Sequence, residues 1–434
     1  MNLSSAPNKL RALLIICIAG TLALIGTIFV IYSASRTVTQ AVGKDTVPTI
    51  IAAQRIKATL ADAHSNAMNA MVTKEKLGGK YWGEYRKNMN TLHSELTDAS
   101  QNITYGEEQR TPILTIMSNL STYEYTVGGA VSNGAEISVD QFMEANRLMQ
   151  QKILPASTDL NKVSISHLDS IYNQYTKNMV KATTFMYLIG LGLFIILIYT
   201  QYYLYKTTHR VFNPGLLLAT ILLFANTMYS TDALNSVNKN LYTAKNDAFD
   251  SLNALWSAKA VAYNANALES LYLLHHQTGI VQTADTINFN LSASRLCSDN
   301  KAGSTGGEFK GLLNDVLKNT AFSSEKEAAT TSLQEWIKYV DVDKQIRNLE
   351  YNSKHNEAIA LCVGEAAGQS NYHFGRFDGA LNEAIDINQR NFQSNIDSVF
   401  KSLNMFPYVT AGFLVLIIAA AAIGIKIRLN EYKI

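Results

Sequence analysis

ATTFMYLIGLGLFIILIYTQYYLYKTTHRVFNPGLLLATILLFANTMY, residues 182–229, holds two apolar runs separated by the short polar stretch KTTHR. Each run is near the ~20 residues that a helix needs to cross ~30 Å of hydrocarbon. Working outward, two more runs of this kind stand near the ends of the chain. One is ALLIICIAGTLALIGTIFVIY at 12–32 and the other is PYVTAGFLVLIIAAAAIGI at 407–425, both without charge. The sequence therefore predicts four spans, at 12–32, 182–205, 211–229 and 407–425. Tyr32, Tyr202, Tyr203, Tyr205, Tyr229 and Tyr408 lie at their ends, as an interfacial belt requires. Buried core helices would instead leave four separate runs apolar all round. The first run exceeds the ~7–15 apolar residues of a signal peptide, so it reads as a retained span despite the small-residue site SAS at 33–35.

The remaining composition agrees with a helical membrane protein. The chain is 47% hydrophobic and 17% charged, below the usual quarter for soluble domains. Six prolines in 434 residues and few alternating β-branched runs favour helix over sheet. A net charge of +2, with no basic stripe interleaved by aromatics, gives no reason to expect nucleic acid.

Charge sets the expected orientation. Lys9 and Arg11 precede the first span, Lys206 and Arg210 lie in the hairpin, and Lys426, Arg428 and Lys433 follow the last. Four spans put all three segments on one side, and the positive-inside rule makes that side cytoplasmic. Lys177, Lys181 and Lys401 beside the opposite ends reduce the bias. The expected plan is a multi-pass protein of the plasma (inner) membrane. Residues 1–11, 206–210 and 426–434 are cytoplasmic, and 33–181 and 230–406 are extracytoplasmic. Lys206, Arg210, Lys426 and Arg428 are then the candidate contacts for a cytoplasmic partner.

The two halves repeat. A shift of 202 lays Asp45 on Asp247, Lys57 on Lys259, Ala58 on Ala260 and Ala63 on Ala265, and it lays the first span on the third. Near the end of each outer segment HLDSIY (167–172) resembles NIDSVF (395–400) at a shift of 228, so the second half has gained about 26 residues. The chain reads as two tandem units, each span–ectodomain–span.

Each ectodomain reads as an antiparallel four-helix bundle whose first and last helices continue the spans. In the first, 33–73 is one long helix with Ile50, Ile51, Ile56, Leu60, Ala63, Ala67 and Ala70 at three-to-four-residue spacing. Helices at about 81–103 and 112–131 follow. A fourth starts after Ser138, with Gln141 placed for a capping box, and bends at Pro155. In the second, helices are expected at about 230–278, 281–320, 324–350 and 374–425. The extra residues fall in two glycine-rich stretches, CSDNKAGSTGGE (297–308) and LCVGEAAGQSNYHFG (361–375), both expected near the far end. Each holds one cysteine, and an oxidising compartment predicts a Cys297–Cys362 disulfide; two free thiols are the alternative.

No catalytic constellation, cofactor motif or metal site emerges, and the chain reads as a non-enzyme. His275 and His276 could join His355 or His373 on a metal, but adjacent helical residues point apart, and a solvated surface is expected. GGKYWGEYR (78–86) has glycines without the lysine–serine pair or preceding strand of a phosphate loop. Its Tyr81, Trp82, Tyr85 and Arg86 are read either as a membrane-distal partner patch or as core packing. No span carries a charged residue near its centre, which argues against an ion or proton pathway.

Two stretches carry a family resemblance: TLADAHSNAMNAMVTKEKLGGKYWGEYRKNM (59–89) and ANRLMQQKILPASTDL (145–160). With the four-span plan they resemble a family of membrane proteins of actinobacteria and cyanobacteria. Its members are encoded with a glutamine/aspartate-binding lipoprotein and the soluble protein kinase G. The outer plan is also similar to the four-helix-bundle sensor domains of bacterial chemoreceptors, whose cytoplasmic rod has no counterpart here. The likeness covers the topology of the whole chain and about 50 residues of its sequence. It implies a relay in which a loaded solute-binding protein touches the outer bundles and a cytoplasmic kinase receives the change. In that relay this chain would not itself bind the amino acid. A mechanical coupler of an ABC-type ATPase and an envelope scaffold are the alternatives. Membrane lipid is an expected partner, and a homodimer is a further possible one.

Overall fold

The computed structural model describes residues 6–132, 138–208, 213–279, 283–298 and 310–431, and these are all-helical, with no strand among the described residues. Four helices are long and apolar enough to cross a membrane: α1 (Ala6–Val72), α4 (Val139–Thr207), α5 (Pro214–Gln277) and α10 (Ser370–Glu431). Between them lie α2 (Lys80–Gln101), α3 (Glu107–Ser132), α6 (Thr283–Leu296), α7 (Leu312–Lys318), α8 (Glu325–Tyr351) and α9 (His355–Val363). The protein is an all-α membrane protein, as the four apolar runs predict.

The chain divides into two compact units. One comprises 1–43, 169–242 and 394–434 and carries the four apolar windows. Its large apolar side chains face outward: Phe29, Leu188, Phe224 and Val415 are each about 60% exposed or more, as lipid-facing surface requires. Small residues bring its helices together. A Cβ on Gly20 would lie 2.7 Å from Leu193, and one on Gly215 would lie 2.7 Å from the Ala420 carbonyl and the Gly424 Cα. Asn213 closes that crossing, donating from Nδ2 to the Gly424 carbonyl at 2.8 Å while its Oδ1 accepts from the amides of Gly215 and Leu216. It thereby caps α5, with Pro214 at the first helical position, where its missing N–H costs nothing.

The other unit comprises 44–168 and 243–393. The parts of both halves beyond the apolar windows thus belong to one compact body. In the first half, His64 of α1 joins Tyr123 of α3 (3.1 Å) and Asn146 of α4 (3.0 Å). In the second, Trp336, Tyr339, Phe374 and Phe377 form an aromatic core between α8 and α10, with ring centroids 5.0–6.0 Å apart.

Three of the long helices contain a π turn: Ala41–Thr46 in α1, Met149–Ile153 in α4 and Thr243–Phe249 in α5. The turns in α1 and α5 start 202 residues apart, the repeat shift, and sit where the chain passes between the two units. Pro48 and Pro155 lie just past two of them. A proline ring clashes with the carbonyl four residues back, here Lys44 and Gln151, and both carbonyls sit inside the widened turn. The expected bend at Pro155 is therefore taken up by a π turn.

Several finer expectations need correction. Ser138 makes no side-chain cap, so the capping box with Gln141 is not formed. The helix expected at 281–320 is two, α6 and α7, because the inserted CSDNKAGSTGGE interrupts it; 299–309 lie outside the described residues. The second insertion is the added helix α9 and the turn after it, which ends where α10 begins at Ser370.

The Cys297–Cys362 bridge is also absent. Both cysteines are buried and neither is bridged. Cys362 sits on the last turn of α9 and faces α5, with Sγ 3.5 Å from Glu269 Oε2 and 3.7 Å from Ser270 Oγ. Its hydrogen bonds point it into the core instead of toward the other inserted stretch. Alkylation of the denatured, unreduced protein is expected to label Cys17, Cys297 and Cys362 alike. A linked 297–362 peptide in the mass spectrum would refute the arrangement.

Candidate functional site

The most distinctive feature of the 44–168/243–393 unit is a polar seam between α1 and α5. Gln54 Nε2 donates to Asn253 Oδ1 (2.6 Å) and Ser257 Oγ (3.0 Å). Further along, Ser65 donates to Asn266, Asn69 Nδ2 donates to the same Asn266 Oδ1 at 3.3 Å, and Ser270 donates to Asn69 Oδ1. Partner numbers rise together, so the two helices run parallel. The pairs Ser65–Asn266 and Asn69–Ser270 are 201 apart, within one residue of the repeat shift. Equivalent positions of the two halves therefore meet, as they do across the two-fold axis of a homodimer. Asn69, Asn266 and Ser270 are buried, and both amide oxygens accept from a donor while the Ser270 hydroxyl donates, which is the condition for tolerating such groups in a core.

Lysines flank the seam at equivalent places in unequal surroundings. Lys259 pairs with Asp378 at 2.9 Å, donates to Asn382 at 2.6 Å, and lies over the rings of Trp256 and Tyr263. Asp62 and Glu84 stand nearby. Burial pushes the Asp62 carboxyl up to about 7, with Asp378 and Glu84 adding to the rise and Asn88 and Lys259 opposing it. The equivalent Lys57 has no carboxylate within ion-pair distance among the described residues. Burial, and then the Arg295 guanidinium, push its ammonium down to about 8.

Two cavities open beside these helices. The first, about 600 Å³, lies next to the π turn of α1. Lys44, Asp45, Arg55, Glu95, Asp98 and Gln109 line it among aliphatic side chains. Arg55 pairs with Glu95. Burial raises the Glu95 carboxyl while Arg55 lowers it, and Glu95 Oε2 has no hydrogen-bond partner among the described residues. That oxygen can receive a donor from a small polar molecule. The second cavity, about 660 Å³, lies between α4, α5 and α6.

The aromatic stretch after the glycine pair divides. Trp82 and Tyr85 are buried, Trp82 donating its indole N–H to the Glu75 carbonyl at 3.0 Å. Tyr81 is half-buried and donates to the Val363 carbonyl at 3.2 Å, and Arg86 is exposed. Of the expected patch, the aromatics are core or contact α9 and α10, and only the arginine stands free on the surface. His275 is not solvated either: it is buried, with Nδ1 2.5 Å from Asp285, while His276 and His355 lie against Glu350. No group of three metal-ligating side chains occurs among the described residues. Lys206 and Lys426 are exposed, Arg428 is buried, and Arg210 lies outside the described residues.

The polar seam was not legible residue by residue, although the repeat shift that pairs its members was. Against known families the α1 side of the seam, the π turn of α1 and the 600 Å³ cavity fall inside one matched segment, while the α5 side of the seam lies outside it. Residues 38–173 match the actinobacterial sensor domain. This similarity covers less than half of the chain and gives it a sensory domain within a four-helix membrane protein. Neither the curated proteins nor the solved structures contain a match to the chain.

Proposed function

We propose that the chain is a transmembrane sensory transducer. It relays the state of an extracytoplasmic ligand or solute-binding protein to a separate cytoplasmic effector, with a kinase as the favoured class. The observation that carries this reading is the α1–α5 seam. Two parallel helices meet through side chains that exchange hydrogen bonds, and each helix runs on, past a π turn, into a span-length apolar segment. Asn and Ser partners can be traded for neighbours one turn away, so such a seam supports discrete alternative registers, the kind of element that switching needs. The sensor-domain match supports the same reading. In it, both large segments face outward and the termini and hairpin face the cytoplasm, where Lys206 and Lys426 are exposed for a partner.

Crosslinking in native membranes followed by capture of the chain tests the proposal. A solute-binding protein crosslinked outside and a kinase crosslinked inside are the expected yield. Recovery of an ATPase instead would favour the mechanical coupler, and recovery of wall-binding proteins alone would favour a scaffold.

A further inference from the structure

The two halves treat the neighbourhood of their π turns differently. In the second half α7 ends on Asn319, and in the first α2 ends on Asn102. Asn319 turns into the π turn of α5. Its Nδ2 donates to the Asn246 carbonyl at 3.1 Å, the Asp247 carbonyl at 3.2 Å and Ser251 Oγ at 2.9 Å. At the 202 shift the mates of Asn246, Asp247 and Ser251 are Lys44, Asp45 and Thr49. All three line the 600 Å³ cavity beside the π turn of α1. Asn102 lines it too, but its Nδ2 donates to the Asp98 carbonyl of its own helix at 2.8 Å. A place that one half fills with its own N–H donor is therefore open in the other.

The open place is short of donors. Glu95 is 9% exposed, Arg55 holds its Oε1, and its Oε2 has no hydrogen-bond partner among the described residues. A buried carboxylate oxygen left without a donor costs free energy. The terminal torsion of a glutamate side chain is soft, so that oxygen can turn to a donor in the cavity. Asp98 lies one turn further along α2, lines the same cavity and has no ion-pair partner among the described residues. The lining thus carries the carboxylates of Asp45, Glu95 and Asp98 against the cations Lys44 and Arg55, and Arg55 is already engaged. Ala53, Ile113 and Leu160 complete it as buried apolar wall. Such a wall suits an alkyl body, whereas a hard metal ion needs six or more oxygens around it.

We propose that this cavity binds a small primary amine in its ammonium form. The ammonium supplies the N–H donors that the Asn319 amide supplies in the other half, with Glu95 and Asp98 as its counter-charges. The alkyl body lies against Ala53, Ile113 and Leu160. This names a ligand class for the sensory reading, and only its signalling consequence rests on that reading. Binding needs no partner protein, so it fails or holds independently of the capture experiment.

The test is calorimetric titration of the purified full chain, in nanodiscs of zwitterionic lipid, with n-butylammonium chloride. Tetramethylammonium chloride and sodium butyrate at matched ionic strength are the comparisons. Butylammonium is expected to bind saturably. Tetramethylammonium carries the charge without an N–H, butyrate carries an alkyl body with the opposite charge, and neither is expected to bind. Glu95→Gln keeps the volume and an acceptor but not the charge, and is expected to weaken butylammonium roughly tenfold or more. Asp98 is exposed, so Asp98→Asn leaves the fold alone; it is expected to weaken binding roughly threefold. Absence of butylammonium binding in the parent protein, equal binding of tetramethylammonium or butyrate, or an affinity undiminished in either variant overturns the assignment.

Discussion

Glu269→Gln is expected to stabilise the protein above pH 7 and to remove much of its loss of stability on the alkaline side. Glu269 is fully buried on α5, accepting from Ser370 Oγ at 2.8 and 3.1 Å and from the Cys362 thiol at 3.5 Å. Burial, and then the nearby Asp343 carboxylate, push its carboxyl up from 4.5 to about 8, against the pull of Ser370, Arg347 and Cys362. In the unfolded chain the same group titrates near its ordinary value. Between about pH 4.5 and 8 the folded state holds a proton that the unfolded state has released, so stability falls as pH rises across that window. Asp62 acts in the same sense up to about 7. His64 acts in the opposite sense: burial holds it down to about 4, so stability falls as pH drops from 6.5 toward 4. The parent protein should therefore be most stable in mildly acid solution. Glutamine keeps the acceptor for Ser370 without the ionisation. A Tm series from pH 4 to 9 should show the variant higher by roughly 2 °C at pH 8.5, about 2 kcal/mol in a chain this long, and level with the parent near pH 5. Parallel curves would show that Glu269 is ionised in the fold.

Gly215→Leu should have the largest effect in the span-bearing unit. The added side chain would meet backbone atoms, the Ala420 carbonyl and the Gly424 Cα, both 2.7 Å from the new Cβ. Backbone cannot rotate away as a side chain can, so the two helices must separate and the Asn213–Gly424 bond of 2.8 Å is lost with their contact. Overpacking of this kind costs about 3 kcal/mol. Gly412 in the same apolar window as Gly424 has nothing within 4 Å of its Cβ position, and Gly412→Leu is the matched control. Unfolding in detergent, followed by fluorescence or by loss of monodisperse protein, should separate the two variants. If both behave alike, the close crossing of α5 and α10 does not exist.

The spans were legible because an apolar window is a local property, and so were the long helices that continue them. What escaped were features made by distant residues or by insertions. Nothing local to Lys259 announces Asp378, which is 119 positions away and reaches it only when α10 returns beside α5. Cys297 and Cys362 looked like a pair because both sit in inserted, glycine-rich stretches. The second insertion, however, forms helix α9, which turns its cysteine toward Glu269. The π turns leave no periodic signature of their own, and the prolines that follow two of them read equally well as simple bends. The repeat, by contrast, was visible in a few identities, and it is the feature through which the unequal lysine surroundings can be recognised at all.

The meeting of like positions along α1 and α5 has an evolutionary consequence. In an assembly of two identical subunits, one codon governs both sides of the axis, and any alteration is made twice. Joining the copies in a single gene releases that constraint. One flank can then keep an ion pair such as Lys259–Asp378 while its mirror carries the Gln150–Asn264 amide pair, and asymmetry becomes heritable without a second locus.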